Sequence, residues 1–256
     1  MTNSSVGFLL VALALALAAP PLAAEAEWST RSEIGFVAAR GNTSTETANA
    51  KLELMHEVGT WKHTFATSGL YGKNSGIASA QRWDVRYQLD HALSERSFWF
   101  GSTRFEDDRY SGFDYQGIVS TGFGRRVIDT DETKFSVQVG AGYRMLRPEE
   151  LIRDASSNEV IQRIPGARAE DAVANGTLTF EHSFNDSTKI RDTFLVESGR
   201  ANTLSRNDLA LDVKMTEVLA LSLALSVRNN TAPQDGLKRT DTLTTINLVY
   251  LSNPGP

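Results

Sequence analysis

Residues 218–227 read VLALSLALSV, with leucine at 219, 221, 223 and 225 and only alanine and serine between them. Side chains two apart share one face of a β-strand, whereas a helix groups residues three and four apart. The stretch is therefore a strand, oily on one face and small or polar on the other. Two surroundings fit the oily face. One is the interior of a soluble barrel or sandwich, and the other is lipid outside a barrel that spans a membrane.

The same alternation recurs through the chain from Trp28 onward. Twelve segments carry it, at about 29–40, 45–56, 61–72, 81–92, 97–107, 113–127, 132–146, 169–184, 188–199, 204–216, 218–229 and 239–251. Most run 11 to 15 residues. Ordinary strands have a mode near 5–6 residues, and a tilted membrane-crossing strand needs about 9–11. The connections alternate too. Tight turns (VGTW, SERS, DTDE, NDST and Thr216-Glu217) follow the even segments. Three longer connections (GKNSGIASAQ, RPEELIRDASSNEVIQRIPGAR and NTAPQDGLKR) follow odd ones. Short turns on one rim and longer loops on the other are the layout of an outer-membrane barrel, and an even strand number puts both termini on the short-turn rim.

The faces separate cleanly in several segments. Phe135, Val137, Val139, Ala141, Tyr143 and Met145 alternate with Lys134, Ser136, Gln138, Gly140, Gly142 and Arg144. Three features turn the oily face outward. The apolar faces are narrow and rich in small residues. Twelve long strands enclose more space than such side chains fill, since about 8 strands already make a filled interior. Aromatic residues (Trp28, Trp61, Trp99, Tyr71, Tyr110, Tyr115, Tyr250) collect near segment ends, where interfacial girdles belong. The expected fold is all-β: a single antiparallel up-and-down transmembrane β-barrel of about 12 strands.

Composition agrees. In 256 residues, hydrophobic types make up 41%, too few for a bundle of transmembrane helices. There is no cysteine, which excludes disulfides and thiolate chemistry. The net charge of −5 is spread along the chain, with no basic cluster of the kind nucleic acid requires. The apolar run from Val6 to Ala19, with Pro20-Pro21 and an Ala-Glu-Ala at 24–26 behind it, predicts a signal peptide over residues 1–26. Cleavage is expected after Ala24 or Ala26, leaving 27–256 as the barrel.

Catalytic or metal chemistry has little support. The four histidines (56, 63, 91 and 182) all fall on the lipid-facing parity near short turns, whereas a zinc site needs converging ligands. His182 and Ser183 are adjacent on a strand, so they face opposite ways and do not pair as nucleophile and base. Asp107-Asp108 and Glu149-Glu150 lie in or beside loops, with no second acid placed by a spacing rule. No catalytic residue, cofactor or metal is assigned.

The functional candidates are charges on the lumen face: Arg82, Asp84, Arg86, Asp90, Arg104, Glu106, Arg144, Arg206, Asp208, Asp212, Lys214 and Arg228. Both signs recur at i, i+2, so cross-strand pairs are available. Local neutralisation favours a salt-bridged plug, with a narrow hydrated channel as the alternative.

FEDDRYSGFDYQGIVSTGFGRRV (105–127) resembles the outer-membrane proteins grouped as domain of unknown function 481, labelled salt-induced outer membrane protein. IGFVAARGNTSTETANAKLEL (34–54), LALSLALSVRNNTAP (219–233) and LKRTDTLTTINLVY (237–250) agree with that resemblance. It implies a barrel in the outer membrane of a Gram-negative bacterium and supplies no substrate or catalytic set. Within the motif, Asp108 and Arg109 are expected to pair with neighbouring loops, and Gly112 suits a positive φ. Tyr110, Phe113 and Tyr115, flanking Asp114, are expected in the outer girdle. Barrels of this kind usually end on an aromatic residue. Here NLVY is followed by LSNPGP, which bears on insertion efficiency.

The expected function is structural or minor-channel, with a salt or osmotic link from the resemblance alone. The expected partners are outer-membrane lipid, lipopolysaccharide and the barrel assembly machinery, without nucleic acid. The alternatives are an outer-membrane lipase or protease, and a soluble exported lipid-binding barrel.

Overall fold

The computed structural model describes residues 27–40, 44–154, 160–200, 202–234 and 237–252. The signal-peptide expectation and the chain end after Ser252 lie outside these residues. The first seven strands are β1 (Glu27–Arg40), β2 (Ser44–Val58), β3 (Trp61–Asn74), β4 (Ile77–Ala92), β5 (Ser97–Asp108), β6 (Phe113–Asp129) and β7 (Thr133–Arg153). Then come β8 (Val160–Pro165), β9 (Ala169–Ser183), β10 (Thr188–Ser198), β11 (Thr203–Lys214), β12 (Leu219–Asn230) and β13 (Thr240–Ser252).

Consecutive strands pair antiparallel, β1 closes on β13, and β9 pairs with β7 rather than β8. The result is a closed ring of twelve strands with β8 outside it. Closure leaves no open edge among the twelve ring strands, which a bilayer demands because it offers no hydrogen bonds to bare backbone. Among the described residues of the ring, register shifts fall towards strand ends, at Gly72/Lys73, Glu106/Asp108, Phe113/Tyr115 and Arg126/Ile128, and the β7–β8 arm has one at Ile152/Arg153. Rims are where bulges usually sit.

The opening stretch settles the inside from the outside. On β12, Leu221 and Leu223 are 45% and 51% exposed, while Ala220 and Ser222 are 1% and 0% exposed. Val119, Phe123, Val139, Ile246 and Leu248 are exposed in the same outward sense. Aromatic groups border this band. Towards the loop rim, Trp83, Phe105 and Tyr115 form a row with ring centroids 5.3 and 6.1 Å apart. At the turn rim the histidines join the aromatics. His56 stacks on Trp28 at 4.4 Å, His91 lies 4.2 Å from Trp61, and His182 sits between Phe180 and Phe184.

Two connections differ from the sequence reading. GKNSGIASAQ is not a long loop: β3 and β4 extend to a two-residue turn at Ser75 and Gly76, with φ of 51° and 83°. Two positive φ values match the twist of a right-handed hairpin, and glycine carries one without strain. β7 does not stop near residue 146. Its 21 residues reach about 70 Å at the usual rise per residue, more than a bilayer uses, and the surplus pairs with β8 as an arm beyond the ring. The arm therefore replaces much of the expected 147–167 loop.

Candidate functional site

Inward side chains meet across the bore, not only along neighbouring strands. Arg228 on β12 contacts Glu106 on β5 at 2.5 Å and Asp108 at 3.3 Å. Those two strands hold the fifth and eleventh places in the twelve-strand ring, so the contact spans the full diameter. Arg104 takes the other side of Glu106 at 3.1 Å and reaches Glu197 on β10 at 2.6 Å. A second bridge lies nearer the turn rim. Arg31 contacts Glu33 at 2.7 Å and Asp212 at 3.0 Å, and Arg191 contacts Asp212 at 2.8 Å and Glu33 at 3.5 Å. Asn247, fully buried, donates to Glu33 at 3.1 Å and accepts from Asn49 at 3.1 Å. The carbon a side chain would add at Gly35 would fall 2.1 Å from Asn247 and 2.3 Å from Asn49, so only glycine leaves room for this pair.

One side of the bore is packed. Gln116, Ile118, Arg144, Leu146 and Val173 are all buried behind the Glu106 and Arg104 bridges. Arg144 is fully buried, with loose contacts of 3.4 Å to Asp171 and 3.5 Å to the Asn202 carbonyl. Closer to the turns, Phe98 and Phe100 point inward over a shelf of glycines. A side-chain carbon at Gly124 would stand 2.1 Å from the Phe98 ring, and one at Gly122 would stand 2.2 Å from the Val139 carbonyl.

The other side is open. A vestibule of about 630 Å³ at the loop rim is lined by Arg82, Asp108, Tyr110, Arg228 and Lys238. Below it lies a cavity of about 200 Å³ among β10–β13 and β1–β4. A third, of about 370 Å³, continues among β2–β7, β9 and β10 towards the turn rim. The vestibule and the middle cavity share Leu70, Arg82, Ser226 and Leu243. The middle and lower cavities share Glu53, Ala66, Arg86, Arg191 and Thr193. The cavities therefore abut at two necks and skirt the cross-bore bridges.

The predicted lumen residues distribute as follows. Arg82 pairs loosely with Asp108 at 3.8 Å, and Arg206 pairs with Asp208 at 2.6 Å. Asp84 accepts from the Ser68 hydroxyl. Arg86 lines two cavities and makes no hydrogen bond or ion pair among the described residues. Asp212 and Arg228 hold the two bridges, and Arg144 sits in the packed side. Lys214 differs: it lies exposed at the turn rim, where its backbone amide donates to Ser187.

The 108–115 motif divides between inside and outside. Tyr115 and Asp114 face outward or lie at the rim, with Asp114 3.4 Å from Arg147. Tyr110 and Phe113, expected in the girdle, instead line spaces at the mouth. Tyr110 lies in the turn between β5 and β6, which has no strand parity, and the bulge between Phe113 and Tyr115 shifts the parity of Phe113 by one. Asp108 pairs inward with Arg82 and Arg228 rather than with a loop. Arg109 contributes its carbonyl to Arg163 of the β8 arm, and the Arg163 guanidinium sits 5.6 Å over the Tyr110 ring. Gly112 has φ +81°, and the β12–β13 loop closes on it through Gln234 and Leu237.

Arg31, Glu33, Asn49, Glu197 and Asn247 escaped the sequence reading. Arg31 and Glu33 carry the same i, i+2 charge signal as the recognised pairs. Nothing local marks the asparagines.

Comparison with known proteins places this barrel. In Escherichia coli (strain K12), the uncharacterized protein YdiY is 24% identical over 237 residues, covering 90% of this chain and 85% of YdiY. Among solved structures, an outer membrane channel from Pseudomonas putida F1 has a TM-score of 0.48 at 12% identity, covering 91% of this chain and 96% of the channel. The translocator domain of autotransporter NalP from Neisseria meningitidis has a TM-score of 0.47 at 11% identity, covering 96% and 94%. A family model described as protein of unknown function, DUF481, matches residues 32–251, from β1 to β13. The chain therefore belongs to the DUF481 family.

Proposed function

We infer that this chain is an outer-membrane barrel of the channel type, with a narrow, offset hydrated passage held at fixed width by its cross-bore ion pairs. The observation that carries the reading is the run of three abutting cavities beside the Glu106–Arg228 bridge. An exposed apolar band between aromatic rows supports seating in a bilayer. Lipid and lipopolysaccharide are then its surroundings, and the assembly machinery its route of entry. The salt-stress link enters only as a condition to test, by following expression at raised osmolarity.

Planar-bilayer recording of the refolded protein tests the channel reading. Small, steady single-channel currents are expected, and silence in every salt would leave a structural plug. That second reading rests on the same bridges, which tie opposite walls together. We read the barrel as non-enzymatic, and hydrolysis of any lipid or peptide in a substrate panel would reverse that.

A further inference from the structure

The walls of the two necks carry a charge bias that the rest of the chain lacks. The protein as a whole is acidic, at −5. At the upper neck, Arg82 is the sole charged residue beside Leu70, Ser226 and Leu243. Its nearest counter-charge, Asp108, stands 3.8 Å away and is closer to Arg228, at 3.3 Å. At the lower neck, Arg86 and Arg191 face a single acid, Glu53. Arg191 is held by Asp212 and Glu33, whereas Arg86 makes no hydrogen bond or ion pair among the described residues and feels Asp84 and Asp208 only at longer range. Asp84 sits between the two β4 arginines, but its carboxylate is turned to the Ser68 hydroxyl on β3.

Ion preference is set where a pore is narrowest, because there the low-dielectric wall is close and the local charge is least screened. Both necks present more positive than negative charge at that point, and each takes its least neutralised cation from β4. We propose that Arg82 and Arg86 make the passage selective for small anions, serving as two successive sites about 13 Å apart along β4. The proposal rests on the channel reading for transport, but not for anion binding. The Leu70 and Leu243 side chains sharpen the effect at the upper neck. An apolar neck sheds water readily, so an ion entering it gains most from the one guanidinium that remains.

The test is the reversal potential of the refolded barrel across a potassium chloride gradient, for the parent, R82Q, R86Q and the double variant. The parent is expected to favour chloride. Each substitution should lower the chloride-to-potassium ratio about threefold, the effect of a potential change near half of kT, which acts on the two ions in opposite directions. R86K should keep the preference. A heat-modifiable band for each variant confirms a folded barrel. Chloride NMR line broadening in the detergent-refolded proteins supplies a readout independent of conduction. Cation preference in the parent, or chloride preference unchanged in the double variant, would overturn the proposal and leave the channel reading intact. No current, with chloride broadening that the double variant abolishes, would end the channel reading and keep the anion sites. No current and no broadening would overturn both.

Discussion

Behind the Glu106–Arg228 bridge the bore is filled, and beside it the bore is open. Both sides are built from strands of the same alternation, so the difference lies in what the inward positions carry. On the β5–β7 side they carry Phe98, Phe100, Ile118, Arg144 and Leu146, with glycines at 122, 124 and 140 set beneath the rings. On the β11–β13 and β1–β4 side they carry small or short residues, such as Ala66, Ser68, Ala224, Ser226 and Thr245, between long charged ones. Bulk opposite a missing side chain gives a packed wall, as in any protein core. Short residues between charges leave gaps large enough to hold water. A barrel can therefore be part plug and part passage without any separate plug domain.

The largest break in this contrast should come from the bridge that separates the two sides. Glu106→Ala removes the acid that Arg104 and Arg228 share and leaves them only Glu197 and Asp108, and taking one partner out of a buried ion-pair network is costly. We expect a loss of about 3–5 kcal/mol in denaturant unfolding, together with a larger conductance. Unchanged stability would mean that water already solvates these groups, and the packed side would need a different account.

Next is the packed wall itself. Gly122→Ala puts a carbon against the Val139 carbonyl, a backbone atom that cannot swing aside. A cost of about 1–3 kcal/mol is expected, the usual price of overpacking. The matching change on the open side, Ala66→Val, should cost less than about 1 kcal/mol and narrow the lower neck, read as a fall in single-channel current. Equal costs in the two variants would erase the distinction between the sides.

The smallest effect on stability should come from Arg86→Gln, within about 0.5 kcal/mol, since the guanidinium makes no ion pair or hydrogen bond among the described residues. Its mark should fall on ion preference alone. A stability loss comparable with that of Glu106→Ala would show that Arg86 belongs to the bridging network rather than to the passage.

The sequence by itself determined the strand count, the outward turn of the leucine face and the rim on which the tight turns lie. Side-chain alternation has a period of two, and turn residues act over three or four positions, so both are written locally. It also marked which strands carry inward charge, because i, i+2 pairs of opposite sign share a face. The tertiary structure alone decided which charges meet. Arg228 touches Glu106 only because ring closure brings the fifth and eleventh strands face to face. The same closure seats Asn247 against Asn49 and sets the two upper cavities to one side of the bore, while the lower one reaches across to Phe98, Phe100 and Ile118. It also took the bulge near Tyr115 to turn Phe113 towards the mouth, since a one-residue shift in parity leaves no trace in composition. Contacts across a diameter depend on the number, tilt and stagger of all twelve strands together, and no short stretch of chain contains that information.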